Sequence, residues 1–146
     1  MVVLLLIRNK TNKRKDDLKM KVLVLSNNEL KEKEINNTLE ELQKIVGGYI
    51  EIPFLSRVFN DNKINIIINE EGKFIEGLKP EIAIIKNNQI LDIVYGNCIF
   101  ASHDHEGNTI ELNEKQKQIV KEELKTEVIL TSPDTEKQHI TKALFI

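Results

Sequence analysis

Residues 37–52, NTLEELQKIVGGYIEI, spell out a helix, its stop and the strand that follows. Asn37 offers a side-chain oxygen to a free backbone amide, and Glu40 stands three residues on in capping-box register. Ile35 and Leu42 are placed to clip the start of that helix. Leu39, Leu42, Ile45 and Val46 recur at helical spacing and form one apolar face, which leaves Glu40, Glu41 and Lys44 to water. Gly47-Gly48 ends the helix, because glycine accepts the left-handed conformation that a helix C-terminus commonly needs. Tyr49-Ile50-Glu51-Ile52 then alternates between core and solvent, the pattern of a strand.

Upstream, Met20 opens the strand Lys21–Leu25. Met1–Ile7 is apolar and precedes a basic stretch, the reverse of the order in a signal peptide, and seven residues cannot span a bilayer. We expect Met20 to be the natural start and residues 1–19 to be an extension, the alternative being an edge strand at Val2–Ile7.

Downstream, Pro53 leads into a polar stretch through Asn62. Ile64–Ile68 is a strand, and the turn residues Asn69–Lys73 predict a hairpin back into Phe74-Ile75. A second hairpin is expected from 81–85 and 89–95 around Asn87-Asn88, since asparagine tolerates the positive φ of a tight turn. Cys98–Ala101 adds a strand and His103–Asn108 a polar loop. Asn113 with Gln116 caps a helix that buries Ile119, Val120 and Leu124. Val128–Leu130 and Ala143–Ile146 supply the last apolar surface.

The fold class read from this order is α+β: a small, mostly antiparallel sheet of about five to six strands with two main helices packed on one side of it. One domain over residues 20–125 is expected, followed by a tail over 126–146 with a docked strand. The 146 residues suffice for one modest core.

Composition narrows the function classes. The 21 basic against 23 acidic residues give a net charge of −2, which supplies no global field for a phosphate backbone. Nucleic acid is therefore a disfavoured partner, and the one basic cluster, Lys10–Lys19, is broken by Asp16 and Asp17. Cys98 is the only cysteine, so neither an internal disulfide nor a multi-thiolate zinc site can form. A bacterial cytoplasm suits such a chain, with Cys98 as a buried, inert thiol.

The run LEELQKIVGGYIE at 39–51, the turn NEEGK at 69–73 and IVYG at 93–96 together resemble the domain of unknown function 3846 family, over Lys21 to about Leu124. That resemblance implies a setting in phages, plasmids or conjugative elements and brings no established activity. At Gly77-Leu78-Lys79-Pro80 this sequence departs from the polar, Leu-Asn-containing stretch common in the family.

The candidate binding residues are Gln43, Gly47, Gly48, Tyr49, Glu51, Asn69, Glu71 and Lys73. Gln43, Tyr49 and Glu51 form a recognition surface if the helix end and strand border a groove; otherwise Tyr49 covers the core edge and Glu51 is a solvent-side residue. Gly47-Gly48 is no phosphate loop, because such a loop precedes a helix and these glycines follow one. His103-Asp104-His105-Glu106 offers imidazole and carboxylate ligands for a divalent metal, with His103 and His105 on one side of an extended segment but no assignable third His or Cys. Without a third ligand it reads first as an exposed polar turn.

No serine sits in a Gly-x-Ser-x-Gly setting, and no carboxylate pair can be assigned acid and base roles. No catalytic residue and no cofactor is assigned. The leading expectation is a noncatalytic binding protein of a mobile element, engaging a host protein or small effector, with counter-defence as one role. The alternatives are a metal-dependent enzyme using His103 and His105, and a nucleic-acid accessory protein using Lys10–Lys19. A homodimer is expected if Ile64–Ile68 lies at a sheet edge.

Overall fold

The computed structural model describes residues 18–132 and 134–146. The expectations for Val2–Ile7 and for the basic run before Leu18 lie outside these residues.

The first sheet is built from β1 (Lys19–Ser26), β2 (Glu29–Asn36), β3 (Ile50–Glu51), β4 (Ile64–Asn69), β7 (Cys98–His103) and β8 (Thr109–Ile110). Its order is β2-β1-β7-β4-β3, with β8 paired to β7, and every pairing is antiparallel. The second sheet holds β5 (Pro80–Lys86), β6 (Gln89–Tyr95), β9 (Glu127–Thr131) and β10 (Gln138–Phe145), in the order β6-β5-β10-β9. Here β5 and β10 are parallel, and the other pairs are antiparallel. The α+β class holds, but the single sheet expected from the sequence is corrected to two. Segment 126–146 contributes β9 and β10, and β10 runs between β5 and β9 inside the second sheet.

Among the described residues three helices accompany the sheets: α1 (Leu39–Val46), α2 (Arg57–Asp61) and α3 (Glu114–Glu123). The two main helices do not share a side. Leu42 and Val46 of α1 pack on Val22, Val24, Ile67, Ile99 and Ala101, one face of the first sheet. Val120 of α3 and Leu124 just after it join Leu23, Leu25, Ile66 and Phe100 of the opposite face, together with Ile82, Ile84, Val94 and Leu144 of the second sheet. Thus β1 buries both faces, and its VLVL run is continuous because neither side meets water.

Several local details differ from the sequence reading. The cap of α1 is Thr38, whose side chain accepts the amide of Glu41 at 3.1 Å, while Asn37 donates its side-chain amide to Thr109 O at 2.8 Å. The polar stretch before Asn62 contains α2, capped by Ser56, and buries Phe59 edge-on against Phe100 with 6.0 Å between ring centres. No strand forms at Phe74-Ile75: after β4 the chain makes a 3-10 turn over Gly72–Phe74 and crosses to the second sheet. β7 pairs β4 along Ile64–Ile67, whereas β3 reaches only Ile68 and Asn69, so among the described residues Ile64–Ile67 has a strand on one side alone.

Other expectations match. Asn87 and Asn88 turn β5 into β6 with φ of 51° and 64°. Asn113 and Gln116 form a reciprocal capping box on α3, at 2.8 Å and 2.9 Å. Among the described residues no helix is long and apolar enough to cross a membrane.

Candidate functional site

The end of α1 and two turns from distant parts of the chain meet at one place. Gly47 takes φ 87°, and the amides of Gly47 and Gly48 both donate to Gln43 O, at 2.8 Å and 3.0 Å. Two carbonyls left over at the helix end are satisfied from elsewhere: Asn97 Nδ2 donates to Ile45 O at 3.1 Å, and Asn69 Nδ2 to Val46 O at 3.2 Å. Buried Asn69 also accepts the amide of Glu71 at 2.8 Å, so one side chain ties the helix end to the turn after β4. Glu70 donates its amide to Tyr49 O at 2.8 Å and fastens the same turn to β3.

Close approach explains two of the glycines here. A Cβ on Gly48 would lie 2.9 Å from Asn69 Nδ2, and one on Gly72 would lie 2.6 Å from Tyr95 O. Gly47-Gly48, Asn69–Lys73 and Tyr95-Gly96, read far apart in the sequence, are therefore neighbours in space.

Beside this junction a groove of about 280 Å³ opens between β3 and the last residues of β6. Pro53, Leu55, Ile68, Phe74 and Val94 give it apolar walls, and Glu51, Glu70, Lys73 and Asp92 stand at its margins. Lys73 is ion-paired to Asp92, whose Oδ1 also accepts the amide of Ile93 at 2.9 Å. Among the described residues Glu51 and Glu70 have no ion-pair partner, so the margin is negative. Phe74 in the groove's wall is 87% exposed, and two further aromatic side chains of the neighbouring chain face solvent, Tyr49 at 71% and Phe54 at 69%, the latter lining a separate hollow beside α2.

The family model for a domain of unknown function (DUF3846) matches residues 20–125. The chain belongs to this family. The match ends before β9 and β10, so the family's span holds the whole first sheet but only half the strands of the second. No curated protein and no solved structure matches the chain.

Of the eight candidate binding residues, Glu51, Asn69 and Lys73 line the groove. Tyr49 stands beside it through its bond to Glu70, while Gly47 and Gly48 shape the helix end against Asn69. Gln43 takes part through its backbone carbonyl and Glu71 through its amide, and neither side chain lines the groove. The sequence reading missed Pro53, Phe54, Phe74, Asp92 and Asn97. Phe74 was assigned to a strand that does not form, and the partners of Asp92 and Asn97 are 19 and 52 residues away.

The histidine loop is organised differently. Asp104 accepts the amides of Glu106 and Asn108, each at 2.9 Å, and these bonds, that to Asn108 foremost, hold its carboxyl below the usual carboxylate range. His103 Nδ1 lies 3.0 Å from Asn65 Oδ1, whereas the side chain of His105 is 86% exposed. Among the described residues no three His, Cys, Asp or Glu side chains are grouped to hold a metal ion. Cys98 is buried, its Sγ 3.4 Å from Gly96 O, and burial, reinforced by the charge of Glu81, pushes the thiol far above its ordinary value.

Proposed function

We propose that this chain is a noncatalytic binding protein of a phage or other mobile genetic element, acting by contact on a host protein inside the bacterial cell, in host takeover or counter-defence. The observation that carries the reading is the groove between β3 and β6 with Phe74 exposed in its wall and Tyr49 and Phe54 exposed on the chain leading into and out of β3. Large solvent-facing aromatics are uncommon on inert surfaces and dominate the binding energy of protein contacts. Family membership and the mobile-element setting implied by the resemblance agree with this reading.

The size of the groove favours a host protein over a small effector. Sites that enclose a small molecule have volumes of roughly 300–1,000 Å³. At about 280 Å³, below that range and with Phe74 exposed in its wall, the groove suits one inserted side chain of a protein partner. Its negative margin favours a partner with an apolar anchor among basic residues.

The test uses immobilised wild-type chain and host extract, followed by titration of the purified captured protein. Phe54→Ser with Phe74→Ser should weaken that complex by about 30-fold or more while leaving the circular dichroism spectrum unchanged. Equal affinity for wild type and the double variant would dismiss the groove as the contact.

A further inference from the structure

The turn of the β1–β2 hairpin separates two hollows that share no lining residue with the groove. The first, about 390 Å³, lies between Asn27, Asn28, Pro80 and the start of β10, with Lys79, Lys137 and His139 in its wall beside Ile140. The second, about 440 Å³, is walled by Leu30, Leu124 and the lysines Lys31, Lys121, Lys125 and Lys142. Asn28 lines both, so they are adjacent.

Charge is unevenly placed here. Six lysines and only two glutamates line the pair of hollows, in a chain where acidic residues outnumber basic ones by 23 to 21. One of the glutamates, Glu81, is buried with both oxygens occupied, accepting the amides of Asn27 and Asn28 at 2.9 Å each. The other, Glu29, is paired to Lys31 at 3.0 Å, and Lys142 is paired to Glu127 at 3.2 Å. Among the described residues Lys79, Lys121, Lys125 and Lys137 have no carboxylate partner. With the local carboxylates tied down, these four lysines among the lining residues give the hollows a positive potential. A ligand carrying several negative charges would be held there by charge-assisted hydrogen bonds.

The first hollow also offers uncharged chemistry. Ile140 is half exposed, and the side-chain amides of Asn27 and Gln138 stand beside it, which suits a flat group with hydrogen-bonding edges. We infer that the paired hollows bind a nucleoside polyphosphate, with the base against Ile140 in the first and the phosphates among Lys121, Lys125, Lys79 and Lys137. This site is separate from the groove and independent of the partner proposed for it.

Isothermal titration of the full chain with ATP, tripolyphosphate and a short oligothymidylate tests the inference. ATP should bind once per chain with micromolar affinity and more tightly than tripolyphosphate. Lys121→Gln with Lys125→Gln, and Lys79→Gln with Lys137→Gln, should each weaken it by about tenfold or more, because hydrogen bonds to charged groups are worth that much. Tighter binding of oligothymidylate than of ATP, with a steeper salt dependence, would overturn the free nucleotide in favour of a single strand. ATP binding weaker than millimolar, or binding indifferent to both double variants, would overturn the site.

Discussion

Replacing Asn69 with alanine should unfasten the junction on which the groove rests. The substitution removes the bond to Val46 O at 3.2 Å and that from Glu71 N at 2.8 Å, both at a buried position. A buried backbone group left without a partner costs about 1–3 kcal/mol, and one water admitted to the space recovers part of it. A net loss of about 2–4 kcal/mol is therefore expected, equivalent in a chain of this size to a fall in Tm of roughly 5–15 °C. The cause can be isolated with Gly48→Ala, since a Cβ there meets Asn69 Nδ2 at 2.9 Å. Alone, Gly48→Ala should destabilise by about 1–2 kcal/mol through overpacking. In the Asn69→Ala background that clash is gone, so the double-mutant cycle should show about 1 kcal/mol of coupling. Urea unfolding followed by circular dichroism reads all four proteins. A loss below about 0.5 kcal/mol for Asn69→Ala, or strict additivity in the cycle, would refute the junction as described.

Gly72→Ala should destabilise by about 1–3 kcal/mol, because its Cβ would lie 2.6 Å from backbone oxygen, whereas Gly77→Ala meets no atom and costs only its backbone strain at φ 92°; urea midpoints separate the two. Glu32, Asp104 and Glu127 have lowered pKa values, held chiefly by Lys117, the amide of Asn108 and Lys142 respectively. Their contribution to stability is complete above the ordinary carboxylate values near about 4 and is lost as pH falls through the lowered ones. Lys117 is raised, mainly by its bonds to Glu32 and Glu114, so its contribution is complete below the ordinary lysine value and is lost as pH rises through the raised one. Thermal melts across pH should therefore weaken at both extremes, and Lys117→Met should reduce the acid-side loss that belongs to Glu32. Cys98 should resist a thiol reagent in the folded chain at pH 8 and react at once in urea, which a timed absorbance assay distinguishes.

The parts of the fold that were legible are those whose causes are local. The Asn113-Gln116 box and the Asn87-Asn88 turn each satisfy themselves within a few residues, and both lie where the sequence puts them. Asn27-Asn28 carries the same turn signature, with φ of 52° and 63°, and the strand after it was missed because Glu29–Glu34 is nearly all charged. β2 is an edge strand that buries little beyond Ile35, and its charges discourage further pairing. The cap of α1 shifted by one residue because Asn37 is claimed by Thr109, 72 residues away. The hairpin at Phe74 failed for a similar reason: β3 already pairs the end of β4 at Ile68 and Asn69, and Gly72 seats against Tyr95. The second sheet depends on parallel pairing of Ile82–Ile85 with Lys142–Phe145, which no local pattern announces. Of the site, the glycine helix stop and the Asn69–Lys73 turn were legible; the groove was not, since its walls come from β4, β6 and the stretch after β3.

Hydrogen exchange of the chain with and without its purified partner tests the central claim most directly. Binding at the mouth between the sheets predicts slowed exchange confined to residues 49–55, 70–75 and 92–95. Protection centred instead on the His103–Asn108 loop, with these segments unchanged, would contradict it.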